Sequence, residues 1–93
     1  AFWFYLLRCA HGSYSAGHTD DLEHRIALHR SGDLRGYTST RRPVELVYSE
    51  SFATRLEALA AERQIKGWSR AKKEALIRGD WQAVSMLARG RSR

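Results

Sequence analysis

The chain has 93 residues, 43% of them hydrophobic and 28% charged, the mix of a small globular domain spanning residues 1–93. That mix excludes a disordered chain, and one Pro with seven Gly excludes a collagenous one. The net charge is +6, no apolar run approaches the ~20 residues of a membrane span, and one cysteine, Cys9, excludes an internal disulfide and an unaided zinc site.

Phe2–Cys9 is a short, aromatic-rich apolar run closed by Ala10-His11-Gly12-Ser13. That pattern predicts a central strand and a hairpin turn. Ser13–His18 resumes as a second strand. Thr19-Asp20-Asp21 are helix N-cap types, Leu22, Ile26 and His29 follow at helical spacing, and Ser31-Gly32 stops that helix. Residues 32–43 read as a polar loop closed by Pro43, and Val44–Tyr48 alternates as a third strand. Ala53–Trp68 is predicted helical, with Leu56, Leu59, Ala60 and Ile65 as its apolar set. Ser69 caps a further helix to Ile77, ended by Gly79. Asp80 caps a last helix, Trp81–Arg89, before a fraying tail, Gly90–Arg93. The order β-β-α-β-α-α-α has no room for parallel crossovers. The predicted fold class is α/β of the α+β kind: a small three-stranded antiparallel sheet flanked by helices.

Charge is distributed unevenly. Residues 1–40 balance, and residues 62–93 set nine basic residues against Glu62, Glu74 and Asp80. A one-sided basic surface is the footprint of a polyanion binder; the alternative is a solvated basic face. Ala1–Leu7 is too short for a signal peptide and lacks a basic leader, so the expected location is cytoplasmic, with no membrane partner.

Three constellations can carry chemistry. Glu62 lies four residues after Ala58 and three before Ile65, so its carboxylate shares a helix face with apolar residues. It is either a stripe-edge acid paired with Arg or Lys, or a metal ligand or acid–base group in a cleft beneath the helix. Arg25 and His29 are four apart on the first helix: a guanidinium that can clamp phosphate beside an imidazole that can move a proton. Taken alone, each is an ordinary surface residue. Tyr5 shares a strand face with Trp3 and Leu7; a tyrosine there reads as core with a tethered hydroxyl. Ser13, Ser15 and Gly17 share a face of the second strand without a GxSxG-type turn. Cys9 reads as a small core residue, and His11 and His18 are too scattered for a metal site.

In this order and spacing, the pieces resemble the GIY-YIG endonuclease domain, most closely its small stand-alone bacterial members. Trp3-Phe4-Tyr5-Leu6-Leu7-Arg8-Cys9 is similar to the GIY strand, and Gly12-Ser13-Tyr14-Ser15-Ala16-Gly17-His18-Thr19 to the YIG strand. Asp21–Arg25 through Gly32 resembles the helix with the catalytic arginine. Glu57–Glu62 through Lys66 resembles the helix with the metal-binding glutamate, and Ser69–Ile77 the ending of these members. The resemblance implies a DNA endonuclease hydrolysing phosphodiesters with Mg²⁺ or Mn²⁺, with DNA repair a role by analogy. It implies Glu62 on the metal, Arg25 on the scissile phosphate, and Tyr5 or His29 on the attacking water. It also implies that Arg63, Lys66, Arg70, Lys72 and Lys73 hold the DNA backbone. One departure stands out: alignment on Gly17 puts Ser15 where the YIG tyrosine belongs, and Tyr14 is turned to the opposite face. Activity impaired at Ser15 is therefore expected. The alternatives are an inactive nucleic-acid-binding module of the same fold, or a basic protein with an acidic protein partner.

Overall fold

The computed structural model describes residues 1–31 and 43–91, with side chains to Met86. The elements are β1 (Phe2–Arg8), β2 (Tyr14–Thr19), α1 (Leu22–Ser31), β3 (Glu45–Phe52), α2 (Arg55–Lys66), α3 (Arg70–Arg78) and α4 (Trp81–Arg91). The strands form one antiparallel sheet in the order β2-β1-β3, so the expected order, fold class and central first strand all hold. The polar loop expected over 32–43 lies, but for Pro43, outside the described residues, as do Ser92 and Arg93 of the tail; Gly90 and Arg91 belong to α4.

β1 is apolar throughout because both sheet faces are covered. Tyr5 and Leu7 point to the α1 side, where they join Cys9, Ile26 and Val44. Phe4 and Leu6 point to the other side and meet Ile65 of α2 and Leu76 of α3. Leu6 and Leu7 are wholly buried, each contributing ~1.5–3 kcal/mol. The β1–β2 turn closes through two bonds of 2.8 Å, from the Cys9 N–H to the Ser13 carbonyl and from the Gly12 N–H to the Cys9 carbonyl. Gly12 has φ 83°, a conformation that a Cβ disfavours.

β3 differs from its expected extent: it runs to Phe52 rather than stopping at Tyr48. Its second half, Ser49-Glu50-Ser51, is exposed on an edge strand and carries no apolar signal. A bulge opposite Leu6/Leu7 skips Val47 in the pairing. The extra residue lets Leu46 face the α1 core while Val47 and Tyr48 face α2 and α3.

The apolar set of α2 also needs correction. Leu56 is 75% exposed, and the buried stripe is Ala58 and Ile65, flanked by Ala61 and Glu62. At ~100° per residue, Leu56 lies roughly opposite Ala58 on the helix wheel. Thr54 starts α2 with a capping box: its hydroxyl accepts from the Glu57 N–H, and the Glu57 carboxylate accepts from the Thr54 N–H. The Thr54-x-x-Glu57 pattern is legible in the sequence, although the predicted start at Ala53 does not use it. Ser69 and Asp80 cap α3 and α4 as expected, and Gly79 ends α3 at φ 73°. Among the described residues, no helix is long and apolar enough to cross a membrane.

Candidate active site

Tyr5 pairs across the β1–β2 ladder with Gly17. A Cβ on Gly17 would overlap the Tyr5 hydroxyl and its neighbouring ring carbons. The phenol ring therefore lies across the backbone of edge strand β2. There the Tyr5 hydroxyl meets His29 Nε2 of α1 at 3.1 Å. The two rings stand edge to face, with centroids 5.8 Å apart. Both residues are buried, Tyr5 to 4% exposure and His29 to 8%. Burial pushes the phenol pKa above its ordinary value; the Arg25 charge opposes that shift and the Glu62 charge adds to it. Burial, then the Arg25 charge, pushes the His29 pKa below its ordinary 6.5. At neutral pH the pair is thus a neutral phenol beside a neutral imidazole.

Arg25 and Glu62 are both close enough to act on the Tyr5 hydroxyl through their charges. They arrive from different elements, Arg25 one turn before His29 on α1 and Glu62 from α2. Glu62 Oε1 accepts a hydrogen bond of 2.5 Å from His18 Nδ1, and Oε2 lies 3.6 Å from Lys66 Nζ. The Glu62 side chain is only 16% exposed. Glu62 is thus paired with basic groups, as one sequence reading expects, and its charge reaches the Tyr5 hydroxyl. His18, which the sequence reading sets aside as too scattered for a metal site, is the direct partner of Glu62. It follows Gly17, so alternation sends it to the face opposite Tyr5, which α2 covers; nothing local in the sequence says which helix does so.

Ser15 pairs with Leu7, one step along the same strand face from Gly17. With Tyr14, Ala16, Lys66 and Lys73 it lines a groove of about 410 Å³. Tyr14 is turned away as expected: its hydroxyl donates to Glu74 Oε2 at 3.1 Å, and the Arg70 guanidinium sits 5.2 Å from its ring centre. It cannot stand in for a phenol on the Tyr5 face. Arg63, Lys66 and Arg70 are exposed and Lys73 is half-buried in the groove wall. Lys72 departs from the expected phosphate-binding set. It is 8% exposed, and its ammonium lies 4.1 Å from the Trp68 ring centre, a cation–π contact inside the fold. His24 and His11 are exposed, and Cys9 is a buried core residue.

Among the described residues, no group of three His, Cys, Asp or Glu is placed to hold a metal. Glu62 supplies one hard oxygen donor. That fits Mg²⁺, which is bound by one or two carboxylates plus phosphate and keeps several waters.

The model of the GIY-YIG catalytic domain matches residues 1–75. The chain belongs to the GIY-YIG family. A UPF0213 protein of Bacillus pumilus is 51% identical over 75 residues, 81% of this chain and 76% of that relative. The UPF0213 protein YazA of Bacillus subtilis is 45% identical over the same shares. A UPF0213 protein of Halobacterium salinarum is 46% identical over 73 residues, 78% of this chain and 95% of that one. The solution structure of the Bacillus halodurans UPF0213 protein is similar at TM-score 0.54 and 39% identity, covering 82% of this chain and 81% of that chain. That of an E. faecalis protein is similar at TM-score 0.57 and 35% identity, covering 86% and 85%. The stretches that resemble the two motif strands are β1 and β2, and Tyr5 lies over Gly17.

Two predictions follow from this packing. Gly17→Ala should destabilise the fold by ~1–3 kcal/mol, the range for overpacking, because a buried, tethered ring has to leave its place. Urea unfolding at pH 7 measures it, and an unchanged midpoint would contradict the geometry. The lowered His29 pKa means the unfolded chain binds more protons, so its stabilising contribution is present above pH 6.5 and lost as pH falls through the folded value. Wild-type stability should therefore fall more steeply between pH 7 and pH 5 than that of His29→Gln; parallel curves would refute the buried neutral imidazole.

Proposed function

We propose that this protein is a divalent-metal-dependent DNA endonuclease whose rate is limited by Ser15. The observation that carries the reading is the Tyr5–His29 hydrogen bond at the β2 edge, with Arg25 and Glu62 acting on the same phenol. The groove that Lys66 and Lys73 line with Ser15 of the same strand supports a nucleic-acid substrate.

In this mechanism a water oxygen bonds to phosphorus as the bond from phosphorus to the leaving sugar oxygen breaks. A phenol whose pKa is raised is a poor free base, whereas the neutral imidazole can accept a proton. The water proton passes to the Tyr5 oxygen as the Tyr5 proton passes to His29 Nε2. Tyrosine thus ends neutral, and His29 carries the proton until it returns to solvent or to the leaving oxygen. The Arg25 guanidinium binds the non-bridging phosphate oxygens and balances their growing charge. Glu62 would hold Mg²⁺ or Mn²⁺, which when bound supplies positive charge for the leaving oxygen. Lys66 and Lys73 hold flanking phosphates without reading bases.

Ser15 favours a second reading, a DNA-binding module of the same fold that has lost catalysis. A panel of branched and linear DNAs incubated with Mg²⁺ or Mn²⁺ separates the two, since only the first yields metal-dependent nicks. Under the endonuclease reading, Glu62→Ala abolishes cleavage while DNA binding in filter or gel assays stays largely intact. An equal loss of binding would make Glu62 structural. The Ser15→Tyr variant should raise single-turnover cleavage by about tenfold or more, because a positioned orienting or proton-transfer group contributes ~10²–10⁴-fold. A flat rate would mean that the missing phenol does not limit the reaction.

A further inference from the structure

We infer that His18 is a second protein ligand beside Glu62, so that the cation site is a nitrogen–oxygen pair that favours a first-row transition cation over Mg²⁺. The inference rests on the reading that Glu62 holds the metal. Its basis is the 2.5 Å approach of His18 Nδ1 to Glu62 Oε1 across 44 residues of chain; a cation there takes the Nδ1 lone pair when the ring proton moves to Nε2. Both side chains are partly sheltered, 24% exposed for His18 and 16% for Glu62, so neither is a freely solvated surface group. They belong to different elements, β2 and α2, whose packing holds the two donor atoms together. The remaining neighbour, Lys66, is 66% exposed and reaches Oε2 only at 3.6 Å. Its long side chain can turn to the adjacent groove, which it already lines with Lys73. A lone carboxylate suits Mg²⁺, whereas an added imidazole suits the later first-row cations. The same imidazole can instead merely orient the carboxylate, as outer partners of metal ligands do. The two roles are separable, because asparagine keeps an N–H near the Nδ1 position but loses the imidazole nitrogen.

The test titrates Co²⁺ and Mg²⁺ separately into the full chain and into His18→Asn, His18→Gln and Glu62→Ala, by calorimetry and by NMR, with thermal melts of each variant. Ligation predicts that wild type binds Co²⁺ at least about tenfold tighter than Mg²⁺, with a paramagnetically shifted His18 ring resonance. Both His18 variants should lose about tenfold or more in Co²⁺ affinity while Mg²⁺ affinity changes little. Wild-type Co²⁺ affinity in His18→Asn, with binding lost in Glu62→Ala, would overturn ligation by His18 and leave the Glu62 reading standing. Unchanged Co²⁺ binding in Glu62→Ala, with no shifted His18 resonance, would overturn both.

Discussion

The site depends on a missing side chain. Gly17 has no Cβ, so the Tyr5 ring can lie across β2 and bring its hydroxyl to the sheet edge. Any other residue at that position occupies the ring's space. The hydroxyl would then miss His29, and Arg25 and Glu62 would act on an empty place. A strand of small residues at a sheet edge is a weak element by propensity. Here its weakness is offset by α2, which packs on the opposite face, and by Ala16, which joins the Phe4–Leu6 core.

That edge is where the two halves of the fold meet. A sheet covered on both faces separates α1 from α2 by its own thickness, except where it ends. β2 is that end, and groups from α1 and α2 converge around it: His29 and Arg25 from one side, Glu62 and Lys66 from the other. The arrangement supplies a buried, hydrogen-bonded phenol–imidazole pair and a more solvated carboxylate within electrostatic reach of one another. Placing both on one face would bury the carboxylate as deeply as the phenol, and a deeply buried charge is costly without full pairing.

Much of this was legible in the sequence because it depends on spacing within single elements. Tyr5, Gly17, Arg25, His29 and Glu62 are fixed by strand alternation and helical period, and the helix caps at Asp21, Ser69 and Asp80 by residue type. What was not legible depends on contacts between elements. Leu56 is apolar but lies on the solvent side of α2, and Lys72 is charged but is shielded by Trp68. Neither composition nor charge count separates such residues from their neighbours. The second half of β3 was missed because an edge strand needs no apolar alternation where one face is open. His18 was set aside because its partner lies 44 residues away.

The same contacts change the meaning of the net charge. Of the basic residues on α2 and α3, Lys72 is the buried one, its side chain laid against the Trp68 ring at 4.1 Å, a contact it would give up on turning to a phosphate. Lys66 and Arg70 have exposed side chains: Lys66 lies 3.6 Å from Glu62, and Arg70 pairs with Glu74 at 3.2 Å and also lies over the Tyr14 ring. A long contact from so exposed an ammonium contributes ~0–1 kcal/mol, so Lys66 can exchange its carboxylate for a phosphate at little cost. The charge count therefore overstates the freely solvated cations of α2 and α3, since Lys72 is 8% exposed while Arg63, Lys66, Arg70 and Arg78 are exposed. Releasing Lys66 also frees Glu62 Oε2. On the proposed reading, phosphate in the groove would draw Lys66 away from Glu62, and a cation at the carboxylate would balance the charge that Lys66 leaves behind.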